Sequence, residues 1–260
     1  KEWFETPRGI ENLSVADRTR DFEPSVAERQ TMFARWAKTA KAFTKVGKEI
    51  AIAVKLGGSD PHSNPRLRMA VQTARGLNMP KDRIEAAIKR ASGKDEAMLQ
   101  EINYSGYAPH GVALLVETAT DNHVRTVANV KSHFNKGHGA WGNSGSVSFQ
   151  FKKMGVFKLK PEGLNMDDLE LELIDHGLDE LGESTEENGD TVLVLRCAFT
   201  DFGNLQKALE DKGLTPISSE LEWIPTTTVP VTDEQAEDVS KLIERLEQDE
   251  DVNKVFHNMG

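Results

Sequence analysis

Residues 112–134 have the sequence VALLVETATDNHVRTVANVKSHF, which contains a complete strand-to-helix transition. The run from Val112 to Thr118 is rich in valine and leucine and predicts a buried β-strand. Asp121 or Asn122 then caps a helix, because apolar residues follow it at helical spacing, namely Val124, Val127, Val130 and Phe134. The stretch therefore predicts one helix packed on one strand, as in an α/β domain.

The same order of elements recurs along the chain. A strand is predicted at 102–107, before the loop 108–111, and another near 146–151, where Val147, Phe149 and Phe151 alternate with polar residues. Further on, an apolar strand at 192–198, a helix capped by Asp201 and a strand at 216–223 repeat the pattern. The chain closes with a predicted helix at 233–248 and a short strand at 252–257. The sequence thus predicts two related α/β units.

Before residue 95 the pattern is helical. A long helix is predicted to start at Met32, because apolar residues follow in steps of four and three, namely Trp36, Ala40, Phe43, Gly47, Ile50 and Val54. Asn64 followed by Pro65 predicts the start of a second helix, and Pro80 opens a third. Three helices with short loops predict a small helical domain.

Charge is distributed unevenly along the chain. Residues 35–94 hold 14 lysines and arginines against 4 acids, about +10, in a chain with a net charge of −10. Residues 161–260 hold 26 acids and 6 bases, about −20. A cationic segment in an acidic protein favours a polyanion as partner, since phosphates attract Lys and Arg and release counterions. The alternative is an ordinary solvated helix surface.

The candidate phosphate contacts are the basic residues of the three predicted helices. On the first helix they fall within about half the circumference, away from the stripe of Trp36 and Phe43, so we expect this face to meet solvent. The full set is Arg35, Lys38, Lys41, Lys45, Lys48, Lys55, Arg66, Arg68, Arg75, Lys81, Arg83, Lys89 and Arg90.

The sequence offers little for catalysis or metal binding. Cys197 is the one cysteine and lies in an apolar run, so we expect no disulfide and a reducing, cytoplasmic setting. No run approaches the roughly 18 apolar residues of a membrane span. His123, His133 and His138 lack a second ligand set with zinc spacing, and the glycine-rich stretch 137–145 lacks the ending of a phosphate loop. We expect no metal, no cofactor and no enzymatic activity.

Several longer motifs resemble those of a known family. GGSDPHSNPRLR at 57–68, NMPKDRIEAAIKR at 78–90, GYAPHGVALLVETATDNHVRT at 106–126 and GSVSF at 145–149 are similar to motifs of the YebC/PmpR family. That family includes the mitochondrial translational activator of cytochrome oxidase subunit one. The similarity is close from Phe33 to Phe151 and looser, but collinear, to the end of the chain.

The resemblance implies a helical domain and two α/β domains, one inserted in the other. The resulting fold prediction is α+β, with an N-terminal three-helix domain followed by two related, ferredoxin-like α/β domains. The predicted parts are a lead-in at 1–31, a basic helical domain at 32–95, an α/β domain at 96–146 completed by 222–260, and an inserted α/β domain at 147–221. Family members usually begin with a short basic arm, whereas residues 1–30 here hold seven acids and five bases. No site residue is therefore assigned before Arg35.

The family contains both DNA-binding transcriptional regulators and translation factors that act on the ribosome, so the resemblance implies two different polyanions. From the spread of basic residues we expect a non-enzymatic regulator that binds RNA, such as rRNA or tRNA, and associates with the ribosome. One alternative is a transcriptional regulator that binds duplex DNA. A second is a protein-interaction adaptor that uses the basic helices. A third, an enzyme acting on a nucleotide, would use His110, Asp121, Asn122 and Arg125.

Overall fold

The computed structural model describes the backbone of residues 26–93, 99–185 and 189–260, and the side chains of these ranges from residue 39 onward. The chain separates into two compact units, Lys1–Ala42 and Phe43–Gly260. In the first unit, the described part is the beginning of a helix that starts at Val26, before the predicted start at Met32. Most of the predicted lead-in, residues 1–25, lies outside the described residues.

The described elements alternate in type after an all-helical beginning. The helices are α1 (Val26–Gly57), α2 (Pro65–Gly76), α3 (Lys81–Ala91), α4 (His123–Lys136), α5 (Met166–Ile174), α6 (Phe202–Asp211) and α7 (Asp233–Glu247). The strands are β1 (Gln100–Tyr107), β2 (Ala113–Thr120), β3 (Ala140–Trp141), β4 (Phe151–Leu159), β5 (Leu178–Thr185), β6 (Thr191–Ala198), β7 (Ser218–Pro225) and β8 (Val252–His257).

The C-terminal half of α1 packs with α2 and α3 around a small apolar core. Ile50, Ala53, Leu67 and Ala74 are fully buried in it. The predicted helix start at Asn64 is confirmed, because its side chain accepts a hydrogen bond from the Leu67 amide at 3.1 Å. The same side chain donates to the carbonyl of Ala53 at 2.7 Å, so one buried amide fixes the turn between α1 and α2. Trp36 lies outside the described side chains.

The first sheet has the strand order β3-β1-β2-β8, and neighbouring strands are antiparallel. Helices α4 and α7 contribute Phe134, Val239 and Leu242 to the core on one face of this sheet. Of the two predicted caps, Asp121 and Asn122, the structure has Asn122, whose side chain accepts from the Arg125 amide at 3.2 Å. The strand β8, from the end of the chain, thus completes a sheet that begins at β1.

The second sheet is formed between β3 and β8 of the first. Its elements run β4-α5-β5-β6-α6-β7, with the spatial order β5-β6-β4-β7, which is the ferredoxin-like arrangement. Helices α5 and α6 cover Phe157, Leu193 and Leu195 on one face. The predicted fold class, helices followed by two α/β domains with one inserted in the other, is confirmed.

The internal repeat predicted from the sequence is present, but its last strand is β3 at 140–141 and not the predicted strand at 146–151. In the first sheet, β2 and β3 both pair antiparallel with β1, and α4 connects them. In the second sheet, β6 and β7 both pair antiparallel with β4, and α6 connects them. Each repeat is therefore a strand-helix-strand unit whose two strands lie on either side of a third, antiparallel strand.

Two local predictions are wrong, and one strand was not predicted. Residues 148–150 form a turn of 3₁₀ helix rather than a strand, and Phe149 is 75% exposed while Val147 is fully buried. Val124 is 66% exposed, and the buried stripe of α4 contains Thr126 instead. Strand β5 was not predicted, because it is an acidic edge strand with little apolar alternation. Within the described ranges, no helix is long and apolar enough to cross a membrane.

The two sheets meet through a separate apolar cluster. Ala113 and Leu115 of β2 pack with Val147 and Phe151, and Trp223 of β7 lies against this cluster. The Trp223 indole donates a hydrogen bond to Glu117 at 2.7 Å. Burial raises the pKa of the Glu117 carboxyl above its ordinary value, although this hydrogen bond and nearby lysines act in the opposite direction. The inserted domain therefore packs against the second face of the first sheet.

Candidate nucleic-acid interface

The basic residues predicted to contact phosphate fall into two groups in the structure. Arg35 and Lys38 lie outside the described side chains. The first group, here called the fastening cations, bonds to acceptors in the α/β domains and comprises Lys45, Lys48, Arg66 and Arg68. The second group, the exposed cations, lies at the surface and comprises Lys41, Lys55, Arg75, Lys81, Arg83, Lys89 and Arg90.

Lys48 connects α1 to the first α/β domain through three acceptors. Its Nζ donates to the carbonyls of Ala119 at 2.9 Å and Glu250 at 2.7 Å, and to Asp251 Oδ1 at 3.2 Å. An ammonium group has three protons, so this side chain is saturated. Only 17% of the Lys48 side chain is exposed, and 7% of that of Asp251. The prediction that the basic face of α1 meets solvent is therefore wrong at Lys48.

Asp251 is the centre of a buried polar network at the edge of the first sheet. Its Oδ2 accepts from Arg125 at 2.8 Å and from the Thr126 hydroxyl at 2.9 Å, and lies 3.2 Å from the Thr120 hydroxyl. Burial alone would raise the pKa of Asp251, but the bonds from Arg125, Thr126 and Lys48 outweigh it and lower the pKa below its ordinary value. The carboxylate is held ionised with its oxygens occupied.

Lys45 extends this attachment by one helical turn. Its Nζ donates to the carbonyl of Asn253, in β8, at 3.1 Å. Lys45 and Lys48 are three residues apart and so lie on the same side of α1. Both ammonium groups bond to the segment that ends α7 and begins β8, which fixes this side of α1 against the first α/β domain.

Arg66 and Arg68, at the start of α2, form ion pairs with carboxylates of the two α/β domains. Arg66 donates from Nε to Glu49 at 2.8 Å and forms a two-point ion pair with Glu101 of β1. Burial lowers the pKa of Arg66, but the two carboxylates outweigh it and raise the pKa above its ordinary value. Arg68 lies 3.4 Å from both carboxylate oxygens of Glu210, on α6 of the inserted domain. The fastening cations thus attach the helices to both α/β domains.

Four of the exposed cations lie on α3, and Lys55 and Arg75 lie near the ends of α1 and α2. Lys81 makes an ion pair with Glu85, one turn away, at 3.6 Å. The guanidinium of Arg83 lies over the Phe43 ring, 6.0 Å from its centroid. Lys55 donates to the carbonyl of Gly93 at 2.9 Å while staying exposed, which links the end of α1 to the end of α3.

Helix α3 presents three of its cations to solvent together. Ile84 and Ala91 face the core, and Arg83, Lys89 and Arg90 lie outside this buried stripe. In the part of the chain that the structure describes, Arg75, Lys89 and Arg90 make no ion pair. The helix carries four cations against two acids, Asp82 and Glu85, and Glu85 pairs with Lys81. Helix α3 therefore keeps a net positive charge at its surface.

The acidic partners of the fastening cations were missed by the sequence analysis. Asp251 belongs to the run Asp249-Glu250-Asp251, which is typical of solvated surface charge. A local signal does exist, because Asp251 immediately precedes the apolar residues of β8 and so lies where the chain enters the sheet. Glu101 and Glu210 carry no comparable signal.

The residues considered for nucleotide chemistry do not form one cluster. Arg125 pairs with Asp121 at 2.9 Å and Asn122 caps α4, both just after the end of β2. His110 precedes β2, at the other end of the strand, and its Nε2 lies 3.4 Å from Asp238 of α7. Among the described residues, no group of three or more His, Cys, Asp or Glu side chains could hold a metal ion.

The chain matches known protein families and known proteins along most of its length. The family model for the TACO1/YebC protein N-terminal domain matches residues 28–94, and that for the TACO1/YebC second and third domain matches residues 99–259. The chain is 61% identical to a probable transcriptional regulatory protein of Anaeromyxobacter dehalogenans (strain 2CP-C) over 89% of this chain and 97% of that protein. It is 56% identical to a probable transcriptional regulatory protein of Myxococcus xanthus (strain DK1622), with the same coverage.

A solved structure is also similar. The crystal structure of a conserved hypothetical protein from Aquifex aeolicus superimposes with a TM-score of 0.76 at 34% sequence identity. The similarity covers 86% of this chain and 91% of that one, so it includes the helices and both α/β domains.

Proposed function

Because the chain belongs to the TACO1/YebC family, we propose that it is a non-enzymatic regulator of gene expression that binds nucleic acid through the exposed cations of its helices. The working target in this proposal is RNA on the ribosome. The observation that carries it is the division of the cations into two groups. One group fastens the helices to the α/β domains, and the other lies at the surface, where the four cations of α3 outnumber its two acids.

The chemistry of the exposed cations fits phosphate contacts. Lys and Arg neutralise backbone phosphates and release bound counterions, which gives affinity without sequence preference. The rest of the chain is strongly acidic, so a polyanion is repelled from it and directed to the basic helices. The fastening cations then act indirectly, since they keep these helices in one orientation.

Two features support RNA over duplex DNA. The exposed cations occur on α1, α2 and α3, and such a spread suits a folded RNA, which is recognised by shape and phosphate position. Reading DNA bases usually requires one helix that presents suitable side chains to the major groove. Helix α3 contains no Asn or Gln, the side chains that pair with adenine in the major groove.

A transcriptional regulator that binds duplex DNA is the second candidate. It is favoured by the names of the curated relatives, which are called probable transcriptional regulatory proteins. In this case the same exposed cations would contact the DNA backbone, and affinity would be higher for one operator sequence than for unrelated duplexes.

Charge reversal on α3 tests the proposal. The variant R83E/K89E/R90E should lose at least tenfold in affinity for single-stranded RNA at low salt and should leave the ribosomal fractions of a sucrose gradient. The matched control is K207E/K241E/R245E, which makes the same change in net charge at exposed positions of α6 and α7.

The control variant should bind RNA and ribosomes like the parent protein. Equal binding by both variants would remove the exposed cations from the interface. A parent protein that stays at the top of the gradient at physiological salt, yet protects one promoter sequence at nanomolar concentration, would establish the DNA-binding candidate instead.

A further inference from the structure

A second region of the molecule is formed from stretches of the chain without charged residues. The stretches 102–116, 137–151, 223–232 and 255–260 contain no Asp, Glu, Lys or Arg, in a chain of which 28% of the residues are charged. The fold brings all of them together around Gln150. Its side chain lies 3.4 Å from the Tyr107 hydroxyl and accepts from Asn258 at 3.0 Å, and its carbonyl accepts from the Thr226 amide at 2.8 Å. We call this region the neutral surface.

Phe149 projects from the neutral surface. It is 75% exposed, whereas Val147 and Phe151 on either side of it are buried in the cluster between the two sheets. Gln150, which follows Phe149, is hydrogen-bonded to three other segments of the chain, and Val147, two residues before the ring, is buried. The ring is therefore held in solvent by anchored neighbours, although exposing a phenyl group to water is unfavourable.

The exposed residues of the neutral surface besides Phe149 include small and polar ones. Residues 143–145, with the sequence Asn-Ser-Gly, and the three threonines at 226–228 are all exposed. The other large apolar side chains that are exposed in the described ranges, such as Leu171, Ile174 and Phe199, lie outside the four uncharged stretches. A protein-protein interface has a contiguous apolar core, which one isolated ring does not provide.

We infer that Phe149 is a stacking platform for an unpaired RNA base, with the nearby amide and hydroxyl groups available to its edge and to ribose. An aromatic ring can stack on any base, and Asn and Thr side chains form hydrogen bonds with base edges and the ribose hydroxyl. A neutral surface suits a base, which is uncharged, while the acidic remainder repels phosphates. This inference rests on the proposed function, in which the exposed cations hold the RNA backbone.

Substitution of Phe149 tests the inference without disturbing the fold. Phe149→Ala should leave the melting temperature unchanged, because the ring has few packing contacts, and should weaken binding of an oligoadenylate by about tenfold, as for one stacked base. Phe149→Trp should keep the affinity. A fluorescent adenine analogue in the oligonucleotide should be quenched by the parent protein and by the Trp variant, and not by the Ala variant.

Two controls separate this inference from the proposed function. Leu171→Ala removes a side chain of similar exposure, 72%, from the acidic helix α5 and should bind the oligoadenylate like the parent. Binding of an RNA duplex, in which no base is unpaired, should be equal in all variants.

Each outcome has a distinct meaning. A parent protein that binds no RNA would overturn the proposed function itself. Equal oligoadenylate affinity in the Phe149→Ala and Leu171→Ala variants would overturn the stacking role while leaving the exposed cations in place. Loss of ribosome association in Phe149→Ala with unchanged RNA affinity would show that the ring contacts a protein, which also contradicts the inference.

Discussion

The fastening cations and the exposed cations come from the same three helices, yet they differ in what surrounds them. Lys48 gives all three of its protons to one corner of the first sheet, whereas Lys89 and Arg90 stand in solvent without an ion pair among the described residues. The local sequence is similar around the fastening cations and the exposed cations, because in both groups a basic residue lies beside an apolar stripe. The net charge of a segment therefore overstates the charge that it offers to a ligand.

The largest expected effect follows from removing the carboxylate at the centre of the fastening network. Asp251→Ala would leave Lys48, Arg125, Thr120 and Thr126 without their common acceptor. We expect the free energy of unfolding to fall by about 3 to 5 kcal/mol, because breaking one side of a buried ion pair leaves the other charge uncompensated. Urea unfolding measures this change.

The control for that experiment is Asp211→Ala, at an exposed position at the end of α6. Its free energy of unfolding should stay within about 0.5 kcal/mol of the parent. If the two aspartate variants unfold at the same urea concentration, Asp251 does not fasten the helices.

The contribution of Asp251 should also depend on pH. Its pKa is lower in the folded protein than its ordinary value of 3.8, so the stabilisation is fully present above that value and is lost as pH falls through the folded pKa. The stability difference between the parent and Asp251→Asn should therefore be greatest near neutral pH and should shrink in acid. A difference that is constant between neutral and acidic pH would mean that the carboxylate charge is not involved.

Lysine substitutions compare the two groups of cations directly. Lys48→Met should lower the free energy of unfolding by about 2 kcal/mol, the usual value for hydrogen bonds that involve a charged group. Lys89→Met makes the same chemical change at an exposed position and should cost less than about 0.5 kcal/mol. Thermal denaturation of the two variants side by side checks the difference, and similar losses in both would remove the distinction on which the interface is assigned.

Much of the fold follows from local sequence because short-range chemistry specifies it. Asn64 and Asn122 cap helices through their own side chains, and the apolar runs of β2 and β6 are buried as their composition predicts. The failures also have local causes. Residues 146–151 alternate like a strand, but the turn at Gly145, with φ of +79°, leads into a 3₁₀ turn instead. Strand β5 is acidic because it forms an edge of its sheet.

The candidate interface was less predictable for a different reason. The sequence identified the basic helices, but it could not separate fastening from exposed cations, because the acceptors are distant in the chain. Lys48 and Asp251 are 203 positions apart, and Arg68 and Glu210 are 142 apart. No helical or strand periodicity encodes such pairs. The neutral surface around Phe149 was missed likewise, since it forms from four separate segments.

The salt dependence of RNA binding tests the central claim most directly. Each phosphate contact to a single strand contributes about −0.7 to the slope of log affinity against log salt. The slope of R83Q/K89Q/R90Q should therefore be less negative than that of the parent by about 2. The matched variant K207Q/K241Q/R245Q should keep the parent slope. Fluorescence anisotropy titrations of a single-stranded RNA over a range of salt concentrations provide the measurement. Equal slopes in the parent and both variants would contradict the assignment of the exposed cations to the phosphate backbone.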